Sequence, residues 1–175
     1  MKNRLVLILL AVALLGGGYL FYRSQDAQVI GRQVDQLLEN VEHKKISLRK
    51  ESDVRASLSE VLAKEVTLFG ASPVPSGDFS EEEVTDKVLQ FHAWTSLCEI
   101  NESDRNIEIK GEEAQVTIVA DVHVAVGKNI QRKERWTMMF KLAKSDTWRI
   151  NGIKGIPSAN ATSAQDAREA ADFLE

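Results

Sequence analysis

Residues 114–142 hold the strongest constraint on what this chain can fold into. Val116, Ile118, Ala120, Val122, Val124 and Val126 occupy every second position, and after a Gly-Lys-Asn turn the alternation resumes at Trp136, Met138, Phe140 and Leu142. A two-residue period sets these side chains on one face of a pleated strand, a row that no helix can bury as a stripe. Each strand of the pair is predicted at about 13 residues, well beyond the usual five or six. Such a sheet has to bend around whatever packs on its apolar face.

Shorter alternating runs flank the pair. Ile107 and Ile109 precede a turn at 111–114, and Trp148 and Ile150 follow Lys144-Ser145-Asp146. Four strands joined by three short loops predict an antiparallel meander. Upstream the period becomes helical. Ile30, Val34, Leu37 and Val41, widened by Leu38, predict a helix from Asp26 to about Lys45. Val54, Leu58, Val61 and Leu62 predict a second helix capped by Ser52, then a short extended segment at 66–70 and a Pro/Gly/Ser loop at 71–78. A third begins at Ser80, where Glu83 completes a capping box and Glu81 and Glu82 favour the positive end of the helix dipole.

Residues 1–25 carry Lys2, Arg4 and Arg23 and no acid, around an uncharged run from Leu5 to Tyr22. That run just reaches the ~18 residues that span a bilayer, it lacks an Ala-x-Ala cleavage site, and Tyr19, Phe21 and Tyr22 resemble interfacial anchors. The expectation is a retained signal anchor, single-pass in the cell inner membrane, with the N-terminus cytoplasmic and the domain periplasmic or extracellular. The expected fold class is α+β, a membrane helix followed by about three helices packed on a curved antiparallel sheet of about four strands. Three segments are expected: the anchor 1–25, a domain 26–156, and a flexible, partly helical acidic tail 157–175.

The net charge is −4, with no basic patch of the kind that phosphate backbones demand, which argues against nucleic acid. Cys98 is the single cysteine, and His43, His92 and His123 are far apart in sequence. Neither a disulfide framework nor a structural metal is expected, and no cofactor is implied.

Helix, helix, loop, helix and a meander ending in Trp148-Arg149-Ile150 resembles the nuclear transport factor 2-like superfamily. The resemblance covers roughly residues 26–156 and rests on element order. It implies a cone in which helices pack into a curved sheet, and a family holding isomerases, dehydratases and noncatalytic assembly modules. Its isomerases rely on phenolic donors, whereas the two tyrosines here lie in the anchor.

The alternation puts Asp121 and His123 on the outer face, as an exposed or interface pair. A one-residue bulge would turn Asp121 inward as a general base with His123 as its partner. His92, between Phe91 and Trp94, is the third catalytic candidate. Phe91, Trp94, Trp136 and Phe140 are read as core or pocket lining. Val119, Ala125, Met139 and Ala143 leave the outer face more apolar than a solvated sheet requires, which suggests a homodimer or an envelope protein partner. The expected function is a noncatalytic interaction or assembly module of the cell envelope, anchored in the membrane through residues 5–22. The alternative is a small-molecule-binding protein or an enzyme using Asp121, His123 or His92.

Overall fold

The computed structural model describes residues 24–44, 50–70, 75–127 and 130–158. A helix α1 spans 24–41. It is followed by β1 (His43–Lys44), α2 (Glu51–Val61), β2 (Leu62–Gly70), β3 (Gly77–Ser80), α3 (Glu81–Trp94), β4 (Leu97–Lys110), β5 (Glu113–Val126), β6 (Ile130–Lys144) and β7 (Trp148–Pro157). The seven strands form one sheet in the order β1-β4-β5-β6-β7-β2-β3.

This corrects the expected four-stranded antiparallel sheet. β2 pairs with β7 in parallel, so the sheet is mixed, and β1, β2 and β3 add three strands at its two edges. The segment 66–70 is the second half of β2, held by β7 on one side and β3 on the other. Ser52 does not cap α2. Lys50 occupies the cap position without a side-chain bond, and the Ser52 hydroxyl turns to Asp53. The membrane helix expected over 1–25 lies, except for its last two residues, outside the described residues. Among the described residues no helix is long and apolar enough to cross a membrane, and Ser24 and Gln25 belong to the amphipathic α1. Beyond Ser158 the tail also lies outside them.

β5 and β6 run in register from Glu113–Ala143 to Val126–Ile130 without a bulge. Ala114, Val116, Ile118 and Ala120 therefore share one face with Leu142, Phe140, Met138 and Trp136. The helices pack on this inner face: Ile30, Val34 and Leu37 of α1, Val54, Leu58 and Val61 of α2 and Val84 of α3 join it in one core. Burying each such side chain is worth about 1.5–3 kcal/mol.

Two bulges adjust what the inner face receives. The first lies between Glu102 and Asp104 of β4. Cys98, Ile100 and Glu102 face inward before it, and Arg105, Ile107 and Ile109 after it, so the phase of the strand changes by one residue. Arg105 is thereby brought in-register with Ile118 and reaches α1, where it pairs with Asp35 at 2.6 Å and with Glu102 at 2.6 Å. Gly31 leaves room for the guanidinium, which lies 3.7 Å from where a Cβ would stand. The second bulge shifts β7 against β6 between Lys141 and Leu142.

Two polar seams fix the helices laterally. Asn40, buried on α1, donates to Gln36 O at 2.6 Å and Ser57 Oγ at 2.8 Å, and Gln36 donates to the same hydroxyl at 2.9 Å. At the start of α1 the Asp26 carboxylate accepts from Lys144 Nζ at 2.8 Å and Trp148 Nε1 at 2.9 Å. The Ser80–Glu83 capping box is formed at α3.

Burial would raise the Asp26 pKa, but the hydrogen bonds from Lys144 and Trp148 outweigh it and hold the carboxyl below its usual 3.8. A depressed carboxylate contributes stability above its unfolded pKa and loses it as pH falls through the folded value. Asp26→Ala is therefore expected to cost about 1–2 kcal/mol at neutral pH by removing the acceptor that Lys144 and Trp148 share. Chemical denaturation as a function of pH should show the gap between wild type and variant closing below about pH 4.

Candidate functional site

The ends of α1 and α3 meet at one edge of the sheet. The chain leaves α1, places Glu42 and enters β1, whose His43 and Lys44 pair with Cys98 and Leu97 of β4. β1 is too short to satisfy the next backbone donor of β4, and the Glu42 carboxylate substitutes for it, accepting from Ile100 N at 2.7 Å. Between these elements lies a cavity of about 470 Å³.

Two imidazoles belong to its lining. His43 and His92 lie with ring centroids 4.3 Å apart at an interplanar angle of 42°, and the edge of Phe91 meets His43 at 5.7 Å. The Thr95 hydroxyl gives its one hydrogen to Phe91 O at 2.6 Å, so its 2.9 Å contact with His43 uses Nε2–H as the donor. On the other side of the ring, Nδ1 lies 3.3 Å from the Val41 carbonyl oxygen. His92 Nε2 is buried and has no hydrogen-bond partner among the described residues. Burial pushes the His92 pKa below its ordinary 6.5, neighbouring His43 pushes it the same way, and hydrogen bonding to the Val41 and Asn40 carbonyls pulls against both.

The remaining walls are mostly acceptors. Glu39, Glu42, Glu99 and Asn101 line the cavity with Lys44 as its cation, and Lys44 is paired with Glu99 at 2.8 Å. Cys98 is buried there, its thiol pushed up to about 12 by burial and by Glu42 and Glu99. It is therefore an inert thiol at neutral pH. Among the described residues no group of three or more His, Cys, Asp or Glu is placed to hold a metal ion.

The three catalytic candidates are not brought together. Asp121 is exposed on the outer face, opposite Arg135 of β6 and Asn101 of β4. His123 shares that face and lies 3.5 Å from Glu99, with its Nε2 buried and without a hydrogen-bond partner among the described residues. β5 pairs without a bulge against β6, so nothing turns Asp121 inward. His92 alone enters the cavity. Of the four aromatic pocket candidates, Phe91 touches His43, Phe140 is in the core, Trp136 lies half-buried where Gly155 leaves room for its ring, and Trp94 is 62% exposed. Val119, Met139 and Ala143 are half-buried and Ala125 is buried. Sequence reasoning missed His43, Glu42 and Glu99, because their convergence depends on β1 pairing with β4 across more than 50 residues.

No family model matches the sequence, and no curated protein does. Solved structures do. A Novosphingobium aromaticivorans nuclear transport factor 2-like protein with a cystatin-like fold is 10% identical, with a TM-score of 0.65 over 85% of this chain and 92% of that one. The fold here is the nuclear transport factor 2-like fold. A candidate dehydratase of that family from Streptomyces avermitilis is similar at 16% identity and TM-score 0.59, over 77% and 97% of the two chains. The CaMKII hub of S. rosetta is similar at 13% and 0.58, over 75% and 95%. At these identities the nuclear transport factor 2-like likeness is one of fold.

A histidine whose folded pKa is lowered destabilises the fold as pH drops through its unfolded value, because the unfolded chain binds the proton more readily. Stability is therefore expected to fall as pH decreases through about 6.5. His92→Phe should remove most of that slope while keeping the ring contact, as read by urea unfolding between about pH 7.5 and 5.5.

Proposed function

We propose that this chain is a noncatalytic small-molecule-binding protein on the nuclear transport factor 2-like fold, holding a small polar ligand in the cavity at His43 and His92. The observation that carries the reading is the buried, unpartnered Nε2 of His92 beside that cavity. An orphaned buried polar atom costs about 1–3 kcal/mol, and a ligand that reached it would recover part of that cost. Few residues in a fold present convergent polar groups around a concavity, and those that do are the default binding site. Among the described residues no catalytic constellation is assembled at the cavity, which supports binding over turnover: Asp121 is exposed, His123 reaches only Glu99 at the cavity's rim, Glu42 is engaged with Ile100 N, and Cys98 is held as a thiol.

A fragment library of small polar compounds screened by amide chemical shifts on the full-length chain tests this. Binders should shift Glu39–Lys44, His92 and Cys98–Asn101 together, and His92→Phe should abolish the effect. If the hits map elsewhere, or bind His92→Phe as they bind wild type, the cavity is not the site.

A second reading, an interaction module working through the outer sheet face, is favoured by the half-buried apolar side chains Val119, Met139 and Ala143 on that face. It predicts that in-cell crosslinking of the full-length chain recovers either itself or one defined partner, and that Val119→Lys with Met139→Lys loses the product without unfolding the domain. Unchanged crosslinking in the double variant would remove this reading.

A further inference from the structure

We propose that a second cavity, between the end of α2 and the β6–β7 hairpin, is a binding site for an oxyanion, the phosphate or carboxylate group of a small molecule. This cavity has a volume of about 460 Å³ and lies apart from the histidine pair; its lining includes Ser59, Lys64, Glu81, Lys144, Arg149 and Asn151.

Its chemistry is opposite in sign to that of the first cavity. Arg149 reaches from the start of β7 to the end of α2, where Nη1 donates to Ser59 O at 2.6 Å and to Leu62 O at 3.1 Å. These carbonyls lie where a helix runs out of internal donors, so the arginine satisfies them and is itself held in place. A guanidinium carries five N–H donors in a planar fork, and the carbonyls occupy two. The other donors belong to a rigid group at the cavity wall, in the geometry that carboxylates and phosphates match.

Lys64 adds an exposed ammonium and Lys144 a third cation, with Ser145 and Asn151 contributing neutral polar groups. Lys144 is balanced by Asp26 at 2.8 Å, and Glu81 is the one acid in the lining. Besides the Lys144–Asp26 pair, the charged groups of this lining among the described residues are Lys64, Arg149 and Glu81, whereas Glu39, Glu42 and Glu99 outnumber Lys44 in the first cavity. Helix capping accounts for the two carbonyl bonds of Arg149 and the pair with Asp26 for Lys144, but neither accounts for Lys64 at the same concavity.

The test is a titration of the isotopically labelled full-length chain with inorganic phosphate and, separately, with acetate, followed by amide shifts. Saturable shifts confined to Ser59–Lys64 and Ser145–Asn151 are expected. Lys64→Gln, at an exposed position that the fold does not need, should weaken binding about tenfold, the size expected for one charge-assisted bond. Lys133→Gln on the outer sheet face should leave it unchanged. A stronger response to phosphate identifies a phosphorylated ligand, and a stronger response to acetate a carboxylate. Arg149→Lys, which keeps the charge and loses the fork, should also weaken binding. If that variant unfolds, Lys64→Gln decides alone. Linear shifts with neither anion saturating, or a Lys64→Gln titration that matches wild type, would overturn the proposal.

Discussion

Everything in this molecule depends on covering one face of the β5–β6 hairpin. The two strands stay in register from Glu113–Ala143 to Val126–Ile130, so their inward side chains form two adjacent apolar rows with no break at which the strands could separate or slip. Three helices meet that demand, and the buried positions of α1 and α2 are the ones whose spacing matches a face laid on a sheet. The outer face of the same strands then receives the alternate residues, Asp121 and His123 among them, whatever chemistry they carry. Burial of one row decides the fate of the other.

The bulges show how the sheet accommodates side chains that the alternation cannot place. At Ser103 the extra residue turns Arg105 toward α1, where Asp35 and Glu102 neutralise it. The guanidinium pKa rises, chiefly through its bond to Glu102, and at Asp35 the first helix gains a second charged tie to the sheet besides the one that Asp26 makes at its start. α1 is thus held by polar bonds at Asp26 and Asp35 and along its buried face by packing. Its last residues consequently reach β1, where Glu42 and His43 find their place.

The two cavities follow from the same geometry. Each lies where helix ends meet strand ends, because there the backbone runs out of internal partners and side chains have to supply them. At one end Glu42 supplies Ile100 N and the lining is acidic; at the other Arg149 supplies two carbonyls and the lining is basic. The groups recruited to complete the backbone set the sign of each concavity.

The long hairpin, the third helix with its Ser80–Glu83 cap, and the outward placement of Asp121 were legible in the residues, because a period of two or 3.6 and a capping box are local patterns that survive tertiary folding. The first half of β4 was not, since the bulge breaks its phase between Ile100 and Ile107 and the alternation is visible only after it. Nor were the edge strands. β1 has two residues and no pattern of its own, and the parallel pairing of β2 with β7 joins segments more than 80 residues apart. Sequence alone therefore determined which faces of the β5–β6 hairpin and of the helices are apolar and roughly where those elements run. Only the tertiary structure decided that His43 and His92 meet ring to ring and that Arg149 reaches the end of α2, because such contacts form between chain segments whose mutual approach is set by packing the helices into the sheet, and no local spacing encodes it.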